Sequence, residues 1–311
     1  MDPSPDRFLL SGASGMLGAP LRHGLGARGS TVLQLLRRPP DSPNQFQWNP
    51  RSTPELPNSE AFENLTAAIH LSGADLAAHR WSPAYKREIE ESRVASTRAL
   101  ASSLAKLASP PQALLVASAV GIYGDRGDEL LDETTPPGRG FLADICRRWE
   151  EAAKPAAEAG IRVIHLRFGA VLDPHKGALA RFLPLFRFGL GAKLGSGRQY
   201  MSWISLTDAV AAVIFLLNKP EAAGAYNFTS PNPVTNAQFT RLLAAQLHRP
   251  VFFTIPVFAA RLAFGEMADQ ALLASTRAYP ARLAADGYQF EHPSLVHALP
   301  AMLSPTLHLQ R

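Results

Sequence analysis

The stretch from Phe8 to Arg38 constrains this chain more than any other. Phe8-Leu9-Leu10 is a short apolar run that reads as a buried strand. It leads into Ser11-Gly12-Ala13-Ser14-Gly15-Met16-Leu17-Gly18, and then into a stretch with Leu17, Leu21 and Leu25 at helical spacing. A second apolar run, Thr31-Val32-Leu33-Gln34-Leu35-Leu36, ends on Arg37-Arg38. Strand, glycine turn, helix, strand is the order of a nucleotide-binding βαβ unit. Gly12 suits the tight turn off the strand, and Gly15 lets backbone approach a pyrophosphate. Gly18, lacking Cβ, lets the helix pack on the sheet. Free N–H groups at the helix start, with the helix dipole behind them, hold phosphates. The predicted cradle is therefore Gly12, Ser14, Gly15, Met16, Leu17 and Gly18.

The end of the second strand carries the next inference. An NAD site places Asp or Glu there, to bond the adenosine ribose hydroxyls. Here Arg37 and Arg38 stand in that place, and Asp41 comes later in a Pro-rich loop. A guanidinium fork suits a 2′-phosphate and gains nothing from a bare ribose. The expected cofactor is NADP(H), with Arg37 the first candidate and Arg38 the second.

At 311 residues the chain has room for one large α/β domain and a smaller appendage. The formal charge of +5 comes from 31 basic residues scattered against 26 acidic ones, with no basic block. That argues against a nucleic-acid partner. The single Cys146 excludes an internal disulfide and a cysteine metal cluster, and no His/Asp/Glu spacing suggests a metal. No apolar run approaches membrane-spanning length, and the first residues lack a signal-peptide core. A soluble cytoplasmic protein is the expectation.

Further along, Ala67 to Ala74 reads as a buried strand ending in a glycine turn, and Leu71, Ser72, Gly73 and Ala74 are expected against the adenosine half of the nucleotide. His70 reads as a packed strand residue. Ser82-Pro83 opens a helix running to about Leu107. Ala113-Leu114-Leu115-Val116-Ala117-Ser118 is the next strand. A polar loop over 125–140 leads to a helix over about 141–159, and Ile161 to Arg167 is another strand. Strands alternating with helices imply a doubly wound parallel sheet. Beyond Asp173 glycines break an apolar and basic stretch. Ser205-Leu206-Thr207-Asp208 then caps a helix through Leu217, and 224–228 supplies a last strand. Helical patterns over 235–247 and 257–275 flank a strand candidate at 250–256. The predicted organisation is a Rossmann domain over 1–172, with 205–230 returning to it. A smaller, mostly helical substrate-side region takes 173–204 and 231–311.

With these motifs in place, Gly12-Ala13-Ser14-Gly15-Met16-Leu17-Gly18 resembles the cofactor loop of the extended short-chain dehydrogenase/reductase superfamily. Ser118-Ala119-Val120-Gly121-Ile122-Tyr123-Gly124-Asp125 resembles its active-site strand, and Leu166 to Leu172 the strand and turn beside the nicotinamide. Trp149-Glu150, Gly195-Ser196-Gly197-Arg198-Gln199, Trp203-Ile204-Ser205, Asp208 and Tyr279-Pro280-Ala281-Arg282-Leu283 narrow the match. Together they resemble an atypical, epimerase-like subgroup whose bacterial members carry a short C-terminal domain of unknown function. The resemblance implies the Rossmann fold and NADP(H). It also places Ala117, Ser118, Phe168, Gly169 and Val171 near the nicotinamide. By analogy with extended relatives, it implies a homodimer through the helices at 82–107 and 141–159.

The superfamily works with a Tyr-x-x-x-Lys pair, whose Lys lowers the Tyr pKa so that the phenol exchanges a proton with substrate. Phe141 to Glu150 contains no such pair in any register. Ser118 and Tyr123 remain as catalytic candidates, although Ala119 holds the hydroxyl position in another register. His165 and Cys146 read as packed residues, Asp132-Glu133 as a solvated acidic pair, and His175 and Lys176 as loop residues. Two functions follow: an NADP(H)-dependent oxidoreductase or epimerase-like enzyme on an unknown small polar substrate, or a non-catalytic NADP(H)-binding sensor or interaction protein.

Overall fold

The computed structural model describes residues 5–304. Its seven core strands are β1 (Arg7–Ser11), β2 (Thr31–Leu36), β3 (Gln45–Gln47), β4 (Ala67–His70), β5 (Ala113–Ala119), β6 (Arg162–Phe168) and β7 (Gly224–Phe228). They form one sheet in the order β7-β6-β5-β4-β1-β2-β3. The pairings of β1 with β2 and β4, of β2 with β3, and of β4 with β5 are all parallel. This is the doubly wound α/β fold that the alternating pattern predicts. Leu9, Leu10, Ala68, Ile69, Leu114 and Leu115 are buried, as strands covered on both faces require. The strand order reverses between β1 and β4, and a ligand crevice is expected outside the carboxyl ends at such a switch point.

The α-helices among the described residues are α1 (Gly18–Gly26), α2 (Pro83–Glu90), α3 (Ser96–Leu104), α4 (Phe141–Glu151), α5 (Lys154–Glu158), α6 (Gly177–Arg187), α7 (Leu206–Leu217), α8 (Asn236–Gln246), α9 (Val257–Phe264), α10 (Ala281–Ala285) and α11 (Leu295–Leu303). Three expected helices differ. The helix predicted over 82–107 is interrupted by a π-turn at Glu91–Ala95. The one over 141–159 breaks before Lys154-Pro155, where proline has no N–H to continue the ladder. The one over 257–275 is broken at Gly265, whose φ is +61°, and resumes into a second π-turn at Ala268–Leu272.

Contacts divide the chain into two compact units. One holds the described residues up to Ala119 with Asp144–Arg167 and Val210–Tyr226, and the other holds Val120–Ala143, Phe168–Ala209 and the described residues from Asn227 onward. The second unit has its own core of Leu179, Leu183, Trp203, Phe239, Leu243 and Leu299. Residues 120–143 belong to it because they pair with the tail: Leu130–Leu131 runs parallel to Arg277–Ala278, and Arg126 N–H donates to Ser275 O at 2.9 Å. Asp208, at the start of α7, is 1% exposed. Its carboxylate accepts from Ser205 Oγ (2.8 Å), Glu291 N–H (2.8 Å), His292 N–H (2.9 Å) and Tyr288 OH (3.1 Å). Ser205 Oγ in turn caps α7 by accepting from Asp208 N–H at 3.0 Å, so the buried carboxylate ties the capped helix start to the 288–292 segment. Burial beside that charge pushes the Tyr288 phenol pKa up.

Candidate functional site

The glycine turn closes on itself more tightly than packing against a sheet requires. Gly12 has φ +73°, and a Cβ there would lie 2.9 Å from the Leu71 carbonyl carbon and oxygen. A Cβ on Gly18 would lie 2.1 Å from Gly12 O. Gly15 N–H donates to Gly12 O at 2.9 Å. Gly18 is therefore needed against the turn backbone itself, rather than against the sheet. Ser14 and Gly15 are left exposed at the carboxyl end of β1.

Beside this turn lies a cavity of about 580 Å³. Its lining brings together Gly12, Ser14, Gly15, Arg37, Arg38 and Leu71 to Ala74, from three separate segments of the sequence reading. Met16, Leu17, Gly18, Ala117 and Ser118 lie outside its lining. Arg38 is engaged by Asp41 at 2.7 Å, and the Arg38 hydrogen bond holds the exposed Asp41 carboxyl below its ordinary value. The exposed Arg37 guanidinium has no partner among the described residues. Trp48, which also lines the cavity, is buried with its Nε1–H unpartnered among the described residues.

The π-turn builds the wall opposite. It sets Ser92 Oγ to accept from Ala74 N–H at 3.0 Å, while Arg93 Nη2 donates to Ala74 O at 2.9 Å. Arg93 in turn lies 5.2 Å over the Trp149 ring, whose Nε1–H donates to Thr97 Oγ1 at 2.9 Å. Such one-turn bulges concentrate at functional sites. Behind the wall, His70 is buried between Ser11 Oγ (2.5 Å) and Ser96 Oγ (3.2 Å), and burial lowers its pKa to about 4. It is the packed strand residue expected, and burial keeps it neutral.

At the carboxyl ends of β5 and β6 the structure shows a cluster whose roles the sequence reading missed. Ser118 Oγ donates to Glu150 Oε1 at 2.7 Å. Arg167 grips the same carboxylate with Nε at 2.8 Å and Nη2 at 2.9 Å. Burial alone would raise the Glu150 pKa, but the Arg167 hydrogen bonds and charge, with help from Ser118, leave it below the ordinary value. His165 is packed as expected, but the satisfied core residue expected at this strand position is not found: its Nδ1 is buried without a partner among the described residues, and burial lowers its pKa. Cys146 is packed as expected, its thiol pushed up to about 12 by burial and then by the Glu150 charge. Opposite charges on a buried helix face (Glu150) and inside a strand (Arg167) were the available signal.

Tyr123 is fully buried, and its hydroxyl donates to Asn227 Oδ1 at 2.7 Å. Glu133 is a correction: it is no solvated loop carboxylate, since Oε1 accepts from Asn227 N–H at 2.9 Å and burial raises its pKa. Phe168, Gly169 and Val171 fall in or beside the second unit's strands. The Phe168 ring meets Phe228 edge-on at 4.9 Å, Gly169 N–H donates to Phe228 O at 3.1 Å, and Val171 registers with Ile204. His175 and Lys176 sit on a turn whose backbone N–H groups donate to Asp173 at 2.9 and 2.8 Å.

With this geometry in hand, comparison with known proteins is decisive. Residues 8–228 match the family model described as NAD dependent epimerase/dehydratase family. The chain belongs to the NAD dependent epimerase/dehydratase family. Residues 255–302 of this epimerase-family chain match a domain of unknown function, DUF1731. The chain is 43% identical to epimerase family protein Mb2239 of Mycobacterium bovis over 290 residues, covering 93% of this chain and 95% of that one. The crystal structure of human epimerase family protein SDR39U1 with NADPH superposes with a TM-score of 0.87 at 30% identity, covering 95% of this chain and 98% of that one. A nucleoside-diphosphate sugar epimerase from Corynebacterium glutamicum gives a TM-score of 0.78 at 33% identity, covering 96% of this chain and 58% of that one. Among the described residues, no helix is long and apolar enough to cross a membrane.

Proposed function

We propose that this chain binds NADPH in the cavity beside the Gly12–Gly18 turn, as an NADP(H)-dependent oxidoreductase or epimerase-like enzyme acting on a small polar substrate. The observation that carries the reading is the unpartnered Arg37 guanidinium at the carboxyl end of β2, in the same cavity as the turn. The tight glycine backbone fits a pyrophosphate, and the Leu71–Ala74 backbone fits an adenosine. The NADPH bound to human SDR39U1 supports the same nucleotide here. When bound, such a nucleotide supplies or takes a hydride.

For substrate chemistry the Ser118–Glu150–Arg167 cluster replaces the missing Tyr-x-x-x-Lys pair. Arg167 keeps Glu150 ionised, and the Ser118 hydroxyl spends its one hydrogen donating to Glu150. Ser118 can then only accept a hydrogen bond from a substrate, which suits a hydroxyl. The likeness to a nucleoside-diphosphate sugar epimerase supports a hydroxyl-bearing ligand. The burial of Tyr123, with no Tyr-x-x-x-Lys pair, favours a second reading, a non-catalytic NADP(H) sensor.

Calorimetric titration of Arg37→Ala tests the assignment. Losing a charge-assisted phosphate contact weakens NADPH binding about tenfold or more and leaves NADH unchanged. Equal weakening of both nucleotides would remove Arg37 from the 2′-phosphate.

A further inference from the structure

Arg51 lines the same cavity from a segment that the glycine and strand motifs did not single out. The strands β2 and β3 are parallel neighbours with Leu36 opposite Gln47, so Arg37-Arg38 and Trp48–Arg51 leave the sheet side by side at one edge. Unlike Arg37, Arg51 is held. Its Nη2 is bonded to Glu88 Oε2 and lies 3.3 Å from Glu91 Oε2. Glu88 sits in the last turn of α2, and Glu91 opens the π-turn, so the bulged helix offers two carboxylates to one guanidinium. Both carboxylates line the cavity too.

These side chains are between 36% and 50% exposed. Ion pairs this wet contribute only about 0–1 kcal/mol and exchange readily. A phosphate dianion offers a guanidinium a stronger, bidentate partner than either carboxylate. We infer that Arg51 is a further ligand for the 2′-phosphate of NADPH, restrained in the nucleotide-free protein by Glu88 and Glu91, and that this carboxylate pair sets the preference between NADPH and NADH. The inference rests on the reading of the cavity as an NADPH site. The carboxylates hold the guanidinium at the mouth, then oppose the incoming phosphate by like charge. Removing them therefore strengthens binding of the phosphorylated nucleotide.

The test is fluorescence or calorimetric titration of the full-length protein with NADPH and with NADH, for R51Q, R51K and the E88Q/E91Q double variant. Thermal melting confirms that each variant is folded. For R51Q the expected result is NADPH binding about tenfold weaker with NADH unchanged. R51K recovers part of that loss. E88Q/E91Q binds NADPH several-fold more tightly and NADH as before, with a weaker NADPH preference in high salt. If R51Q changes both nucleotides equally, or neither, Arg51 is not a phosphate ligand, while the Arg37 assignment stands. If E88Q/E91Q binds NADPH more weakly, the carboxylates do not restrain Arg51. If the unmodified protein binds neither nucleotide, the cavity reading and this inference fall together.

Discussion

Arg167→Met lowers the unfolding free energy of this protein by about 3–5 kcal/mol, the cost of stranding one partner of a buried ion pair. The Arg167 and Glu150 side chains are only 9% and 13% exposed, and two guanidinium donors meet the carboxylate. Without Arg167, Glu150 keeps one neutral donor, Ser118, in a site too dry to solvate it. Urea unfolding measures the loss, and the E150Q/R167M double variant recovers part of it because no charge is left alone. The acid limb carries the same signature. The folded pKa of Glu150 lies below its ordinary value of 4.5, so its contribution is complete above that pH and is lost as pH falls through the folded value. In R167M this acid-dependent contribution shrinks. An unchanged denaturation midpoint in R167M would show that the cluster is not the buried pair described here.

Gly18→Ala has the next largest effect, and its cause is steric. The added methyl would sit 2.1 Å from Gly12 O, 2.8 Å from its carbonyl carbon and 2.9 Å from Ala13 Cα, all backbone atoms that cannot rotate away. The turn must open or α1 must shift outward. Overpacking of this kind costs about 1–3 kcal/mol, more where backbone must move. Because the same backbone is the proposed phosphate cradle, NADPH affinity falls by about tenfold or more as well, equivalent to about 1.4 kcal/mol per decade. A folded G18A protein that binds NADPH normally would show that the turn is not part of the nucleotide site.

The parts of this molecule that follow from local rules were legible in the sequence. Apolar strands, a glycine turn and a Ser205–Asp208 cap each carry their structure within a few residues. The central sheet, and those cavity-lining segments that follow β1, β2 and β4, were therefore readable. What escaped depends on pairs far apart in sequence. Glu150 and Arg167 are partners across 17 residues, and Tyr123 and Asn227 across 104. Nothing near Tyr123 in sequence announces Asn227. Arg51 stood in a stretch of Pro, Asn and Ser that reads as loop, and its importance comes from the neighbouring register of β3 and β2. The π-turn at Glu91–Ala95 shows no break in the sequence pattern, because Ser92 and Arg93 take their partners from the Ala74 backbone.

The most direct test of the account is calorimetric titration of the unmodified protein with NADPH and NADH side by side. The account predicts tight NADPH binding, with NADH weaker by a factor that Arg37→Ala abolishes. Equal affinity for the two nucleotides, or binding of neither, would contradict it.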